Sequence, residues 1–241
     1  MSDQQPNNRP LLTVLVPAFC EGETVEELLN KVAEEPTDKE IVIVDDCSTD
    51  DTPEAIQRFI DSHPNERVTT TRHEINRGKG AAIRTGLELA SGKFLIIQDA
   101  DLELDPKYYQ QLLPPMVDGG AEVVFGSRFK EHAPQIRRRT FLANKFLTFS
   151  ANLLTAWRSP LSDVMTCYKL LSLEDWRALD LQADRFDIEP EISLKLILMG
   201  KQIYEVPIIY APRWYASGKK IQARDFWVVL KKMIDVRFGK K

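Results

Sequence analysis

Residues 93–106 read KFLIIQDADLELDP, and this stretch decides the fold. Lys93–Ile97 is apolar after its first residue and rich in isoleucine, which predicts a strand buried on both faces. Carboxylates follow at once, at Asp99, Asp101, Glu103 and Asp105, and Pro106 then starts a helix. A buried strand that runs out into acids fits an α/β sheet, whose ligands sit outside the carboxyl ends of its strands.

Upstream, the same alternation repeats. Leu11–Phe19 and Glu40–Val44 are further buried strands, and Arg67–Thr71 is a third. Thr24-Val-Glu-Glu27 has capping-box spacing and opens a helix with apolar residues at 25, 28, 29 and 32. Thr52-Pro53 starts a second helix that runs to about Ser62, and Gly78–Ala90 is a third. Downstream, Ala121–Phe125 is a strand, 136–158 a helix, Met165–Leu171 a strand, Ile188–Met199 a helix and Gln202–Tyr210 a strand. Phe226–Phe238 is a basic amphipathic helix. Strands alternating with helices predict one α/β domain with a mainly parallel, Rossmann-like sheet flanked by helices.

At 241 residues, 43% hydrophobic and 28% charged, the composition is that of a globular chain and excludes collagen-like or wholly disordered classes. Cys20, Cys47 and Cys167 form no CxxC pair, and His63, His73 and His132 are scattered. That excludes a disulfide framework and argues against a Cys/His zinc site. No run reaches the roughly 18–20 apolar residues of a membrane span. The chain is expected to be cytoplasmic, with any membrane contact peripheral. Residues 1–10 are polar and proline-containing and are expected as a disordered tail. Residues 11–220 are expected to form one folded domain, and 221–241 a basic amphipathic C-terminal helix able to contact a membrane surface. Charge is uneven: the net is −13 over 1–127, +6 over 128–158, −4 over 159–212 and +7 over 213–241. Two basic blocks in an acidic chain suit an anionic partner, or solvated helix faces; nucleic acid is not expected.

Asp99 and Asp101, one residue apart at a strand end, can reach one hard cation, with Glu103 as an added ligand. Helix capping is the other reading, and Asp105 fits it best because it precedes Pro106. Asp45-Asp46 closes the second strand in the same way, either as a nucleoside-binding lip or as a capped turn. Gly78-Lys-Gly80 suits a phosphate cradle or close packing of a helix on the sheet; the third glycine of a dinucleotide fingerprint is replaced by Ile83. Arg137-Arg-Arg139 leads into Phe141, Leu142, Phe146, Leu147, Phe149, Leu153, Leu154 and Trp157. This is either a core helix with a basic start or a helix that meets lipid headgroups and chains.

These segments together resemble the dolichyl- and polyprenyl-phosphate hexosyltransferases of glycosyltransferase family 2. The match runs through Val16–Glu21, Ile43–Asp50, Gly78–Gly86, Gln98–Pro106, Phe125–Arg128, Thr166–Lys169, Ile188–Glu191, Glu205–Pro207 and Arg213–Lys220. It departs at Cys20, where asparagine is usual, and in the spacer Trp214–Ser217. The resemblance implies a GT-A-type domain. It implies that Pro17, Phe19, Glu21, Val44 and Asp46 line a nucleotide pocket. Asp99, Ala100 and Asp101 would hold the diphosphate and Mg2+ or Mn2+, with Glu103 as an extra ligand. Arg128, Arg213 and Lys219 would face phosphates. The implied reaction carries a hexose from a nucleotide sugar, GDP-mannose ahead of UDP-glucose, to a polyprenyl phosphate. Members with transmembrane helices carry them after the catalytic domain, and this chain ends before that point.

The chemistry fits a site poor in histidine. A phosphate monoester has a second pKa near ~6 and is already ionised at pH 7, so it can attack the anomeric carbon without a general base. A single inverting displacement follows, with Asp99, Asp101 and Arg128 as the catalytic groups. Two rivals remain. A transferase acting on a sugar or protein hydroxyl needs a base, for which Asp163 and Glu189 are the candidates. A nucleotidyltransferase would release pyrophosphate instead.

Overall fold

The structure is a computed structural model, and it describes residues 9–130, 136, 138–212 and 223–239. The strands are β1 (Leu12–Ala18), β2 (Lys39–Asp45), β3 (Val68–Arg72), β4 (Phe94–Ile97), β5 (Val123–Ser127), β6 (Lys169–Ser172) and β7 (Ile203–Pro207). The helices are α1 (Val25–Glu34), α2 (Thr52–Ser62), α3 (Lys79–Leu89), α4 (Tyr109–Val117), α5 (Arg138–Leu154), α6 (Leu173–Ala178), α7 (Ile188–Leu198) and α8 (Ala223–Phe238).

The strands form one sheet in the order β3-β2-β1-β4-β6-β5-β7. All pairings are parallel except those of β6, which runs antiparallel to both β4 and β5. The expected mainly parallel GT-A-like sheet is therefore present, but the reversed strand was not legible. β6 is also shorter than the expected 165–171. Thr166 donates its hydroxyl to the Gly126 carbonyl and Gly126 N–H donates to Tyr168 O at 2.8 Å, so 166–168 run beside β5 with few ladder bonds of their own.

Side chains alternate along the strands between two cores. Leu15, Val42, Val44, Leu95 and Ile97 face one side, with α3, α6, α7 and α8. Val14, Val16, Ile41, Ile43 and Ile96 face the other, with α1, α2 and α4. This is the period-2 pattern of a sheet covered on both faces. Sequence order runs from β1 outward to β2 and β3 on one side and returns to β4 on the other. The carboxyl ends of β1 and β4 therefore bound the crevice where such folds bind ligands.

One local expectation changes. Thr24 is the residue before α1, but its side chain makes no cap bond. Its hydroxyl donates instead to Ala100 O at 2.8 Å, tying α1 to the loop after β4. The α1 carboxyl end is held by Lys39, whose ammonium donates to Ala33 O and Glu35 O. By contrast Asp105 does cap, accepting from Lys107 N–H at 3.1 Å at the start of the 3-10 turn that leads into α4.

Candidate active site

The acidic lip is the loop from Asp99 to Asp105. Gln98 pins it from beneath: its amide donates to Asp99 O and Leu104 O, and its carbonyl accepts from Tyr109 and Tyr168 hydroxyls at 2.7 and 2.5 Å. Every polar atom of this buried side chain is thus used. The loop turns through Leu102 at φ 61°, a left-handed conformation that is costly for a leucine and holds only because the surroundings fix it. Asp101 accepts from Glu103 N–H at 3.1 Å. The Tyr210 hydroxyl bonds the Glu103 carboxylate, and Ala211 N–H donates to Glu103 O at 3.0 Å. The segment after β7 is therefore stitched to the lip.

Asp99 points into a charged cluster. Lys79 Nζ lies 2.6 Å from Asp99 Oδ1 and 2.8 Å from Glu189 Oε1, and the other Glu189 oxygen meets Lys169. Burial by itself would raise the Asp99 pKa, but the Lys79 ammonium and a hydrogen bond from Cys167 outweigh it and hold the carboxyl below its usual range. Burial would likewise lower Lys79, and the carboxylates of Asp99 and Glu189 reverse that. Burial beside Asp99 raises the Cys167 thiol, which is accordingly not a thiolate. Sequence reading missed Lys79, Lys169 and Cys167 as members of the site. Lys79 stood in the Gly78-Lys-Gly80 segment and Cys167 and Lys169 in the matching Thr166–Lys169 segment, and a lysine in the otherwise apolar Tyr168-Lys-Leu-Leu171 was a further signal.

The expected pocket wall is only partly as anticipated. Pro17, Phe19 and Glu21 are half-buried at the end of β1. Three amides there are held by side chains of the β2–α2 loop: Cys20 by Ser48, Glu21 by Thr52 and Gly22 by Asp50. Val44 is 0% exposed and packs in the core, so its side chain is not a pocket surface. Asp46 is also buried. It bonds His73 Nδ1 at 2.7 Å and accepts from Arg77 and Gly78 N–H at 2.8 and 2.7 Å, while His73 Nε2 meets Thr85. Its first task is to hold the β3–α3 loop. Ala100 is buried as well, leaving its backbone as the part near the lip.

The amides at the start of α3 hold no phosphate cradle. Gly80 and Ala81 N–H both donate to Asp184 O, at 2.7 and 3.3 Å. A Cβ on Gly78 or Gly80 would collide with the 183–184 backbone, so this pair admits a neighbouring loop. Packing of helix on sheet falls instead to Gly86, which rests on Leu15.

Arg128 forks onto Asp163, with Nε and Nη2 donating at 2.7 and 2.8 Å, and its guanidinium lies over the Tyr210 ring. Burial disfavours its charge, but Asp163 more than compensates and raises its pKa. Asp163 is 0% exposed. Both base candidates for a hydroxyl acceptor, Asp163 and Glu189, are therefore locked in ion pairs. Arg213 and Lys219 lie outside the described residues.

Among the described residues, no three His, Cys, Asp or Glu side chains gather into a metal cage. The oxygen donors at the lip are Asp99, whose Oδ1 meets Lys79, and the half-exposed Asp101 and Glu103. This donor set still fits Mg2+ or Mn2+, which is commonly held by one or two carboxylates plus substrate phosphates.

Residues 13–172 match Glycosyl transferase family 2. Uncharacterized protein MJ1222 of Methanocaldococcus jannaschii is 30% identical over 226 residues, covering 89% of this chain and 88% of that protein. A dolichol-phosphate mannosyltransferase of Pyrococcus furiosus is 27% identical over 86% of this chain, which spans 58% of that protein's length. Glucosyl-3-phosphoglycerate synthase of Mycobacterium tuberculosis, solved in complex with Mg2+ and UDP, superposes with a TM-score of 0.69 at 18% identity. The match covers 94% of this chain and 78% of that one. Fold and lip together define a GT-A-type domain, the class built to hold nucleotide sugars at the strand ends. The chain belongs to glycosyl transferase family 2, and it is a glycosyltransferase with nucleotide sugars as donors.

Proposed function

We propose that the chain transfers a hexose from a nucleotide sugar, GDP-mannose favoured and UDP-glucose next, to a polyprenyl phosphate with inversion at the anomeric carbon. The observation that carries this reading is the fate of the base candidates. Asp163 is forked by Arg128 and Glu189 is bridged by two lysines, so neither can take a proton from a hydroxyl without breaking a buried ion pair. An acceptor that arrives ionised needs no such group. The relative described as a dolichol-phosphate mannosyltransferase supports the same acceptor class.

In this reading Asp101 and Glu103 hold the metal, and Asp99, fixed by Lys79, orients the donor at the lip. A bound divalent ion supplies charge neutralisation to the departing nucleoside diphosphate. Arg128, held flat by Asp163 and Tyr210, presents a preset cation to a phosphate, and Arg213 and Lys219 are assigned to the same task. Pro17, Phe19 and Glu21 flank the nucleotide, and Asp46 holds the loop beside it.

The acceptor's lipid tail also suits the surface. Leu142, Phe149, Leu153 and Trp157 of α5 and its extension are exposed, as are Trp227 and Phe238 of the adjoining α8. Arg138 and Arg139 are exposed at the start of α5. We assign this face to peripheral contact with an anionic membrane. Among the described residues no helix is long and apolar enough to cross one.

A donor screen with a short polyprenyl phosphate and Mg2+ or Mn2+, read as release of nucleoside diphosphate, tests the reaction. Transfer should stop in excess chelator and in Asp101→Ala, whose melting temperature should stay near that of the wild type. Full turnover in chelator, or transfer to sugar hydroxyls alone, would refute the proposal.

A further inference from the structure

Lys79 opens α3, where a cation opposes the helix dipole. It is tolerated because two carboxylates grip it, Asp99 at 2.6 Å and Glu189 at 2.8 Å. Glu189 lies in the first turn of α7, where a negative charge is favoured. Its second oxygen meets Lys169, which is 0% exposed in the middle of the sheet and also donates to Thr166 O. The result is a chain of alternating charges, Asp99–Lys79–Glu189–Lys169, with no net charge. It links the ends of β4 and β6 to the starts of α3 and α7.

Neutrality alone does not require this linkage. Lys79 with Asp99 and Lys169 with Glu189 would each balance as separate pairs. Joining them gives Lys79 a second anchor, grounded on a strand hydrogen-bonded on both sides. Lys79 Nζ lies 2.8 Å from Glu189 Oε1 and 2.6 Å from Asp99 Oδ1, and an ammonium with three hydrogens can serve both carboxylates at once. Only Asp99 in this chain has a substantial exposed share, 26%, and it stands at the lip.

We propose that Glu189 is a positioning residue that, acting through Lys79 and backed by Lys169, fixes the Asp99 carboxylate for the donor. This rests on the reading of the lip as the donor-diphosphate site. Glu189 itself touches no substrate and moves no proton.

The test is a double-mutant cycle on the full chain. Glu189→Gln keeps the shape and removes the charge. It should lower kcat about 10- to 100-fold, as loss of a group that orients a reacting residue does. Glu189→Asp should recover part of that loss. In an Asp99→Asn background, Glu189→Gln should change kcat by less than about twofold, because the group it acts through is already gone. An equal loss in both backgrounds would assign Glu189 a merely structural role and overturn the proposal. Should Glu189→Gln fail to fold, the charge-balanced pair Lys169→Met/Glu189→Gln replaces it. Burying an apolar residue in place of half of an ion pair, with the other half neutralised, is commonly tolerated. Wild-type kcat in that folded variant would also overturn the proposal. Affinity for GDP and UDP with Mg2+, measured by calorimetry across the same cycle, separates the two ideas. If the wild type transfers nothing to polyprenyl phosphate, the acceptor assignment fails. The non-additivity of Asp99 and Glu189 in nucleotide affinity then still decides the positioning role.

Discussion

Asp163 sits wholly inside the protein with both oxygens committed to one guanidinium. Removing Arg128 would leave that carboxylate buried and uncompensated. Arg128→Ala should therefore destabilise the fold by about 3–5 kcal/mol as well as impair phosphate handling, and urea denaturation followed by circular dichroism measures the first effect. Asp163→Asn/Arg128→Met should recover much of the stability and none of the turnover. At this scale the sequence was legible where chemistry is local: Asp105 caps as its place before Pro106 requires. It was illegible where a side chain's partner is distant. Thr24 reaches across 76 residues to Ala100, and Lys169 across 20 to Glu189. Val44 carries the same family motif as Asp46 but packs in the core within β2, whereas Asp46, one residue past the strand, meets His73.

Helix α3 shows what glycines do for an element. Gly80 faces the Ala183 backbone and Gly86 the flexible end of Leu15. A rigid carbonyl cannot give way, whereas a leucine methyl can shift by rotamer change. Gly80→Ala should cost at least about 1–3 kcal/mol and Gly86→Ala distinctly less, both read from chemical denaturation midpoints. Most elements were anticipated within a few residues, since each carries its own period and punctuation. β6 and α6 were the exceptions. β6 is four residues long and antiparallel, and the six-residue α6 follows it directly. A helix as short as α6 carries too few turns of periodicity to show in sequence, and the direction of β6, expected as a strand at 165–171, is set by the strands flanking it.

At the scale of the whole molecule, α5 and α8 pack together and close one face of the sheet. Leu147 and Ala151 on one helix and Val229 and Met233 on the other are buried there. Their outer sides keep Trp227 and Phe238 more than two-thirds exposed, with Leu142 and Leu153 close to that. The core reading of the α5 stripe is therefore realised on one side of the helix, and the other side stays exposed. The basic residues Arg138, Arg139 and Arg237 are all exposed, and Arg237 also donates to Leu154 O. If this face meets anionic lipid, two arginines at about 1 kcal/mol each should give roughly 30-fold in partitioning. Vesicle flotation should show wild type with phosphatidylserine membranes, little with neutral ones, and a loss of that order in Arg138→Ala/Arg139→Ala. Equal recovery of wild type and variant would remove the membrane assignment.

The amino-acid sequence by itself determined the α/β class, the register of apolar and polar residues along each strand, and the acidic lip. These depend on local periodicity and on what must follow a buried strand. Only the tertiary structure decided which cations the buried carboxylates meet. Asp99, Asp163 and Glu189 read alike in one dimension as acids near a crevice, but their roles depend on cations from other elements. Electrostatic energy falls with distance through space, not along the chain, so that choice is made when α3, α7 and β6 meet.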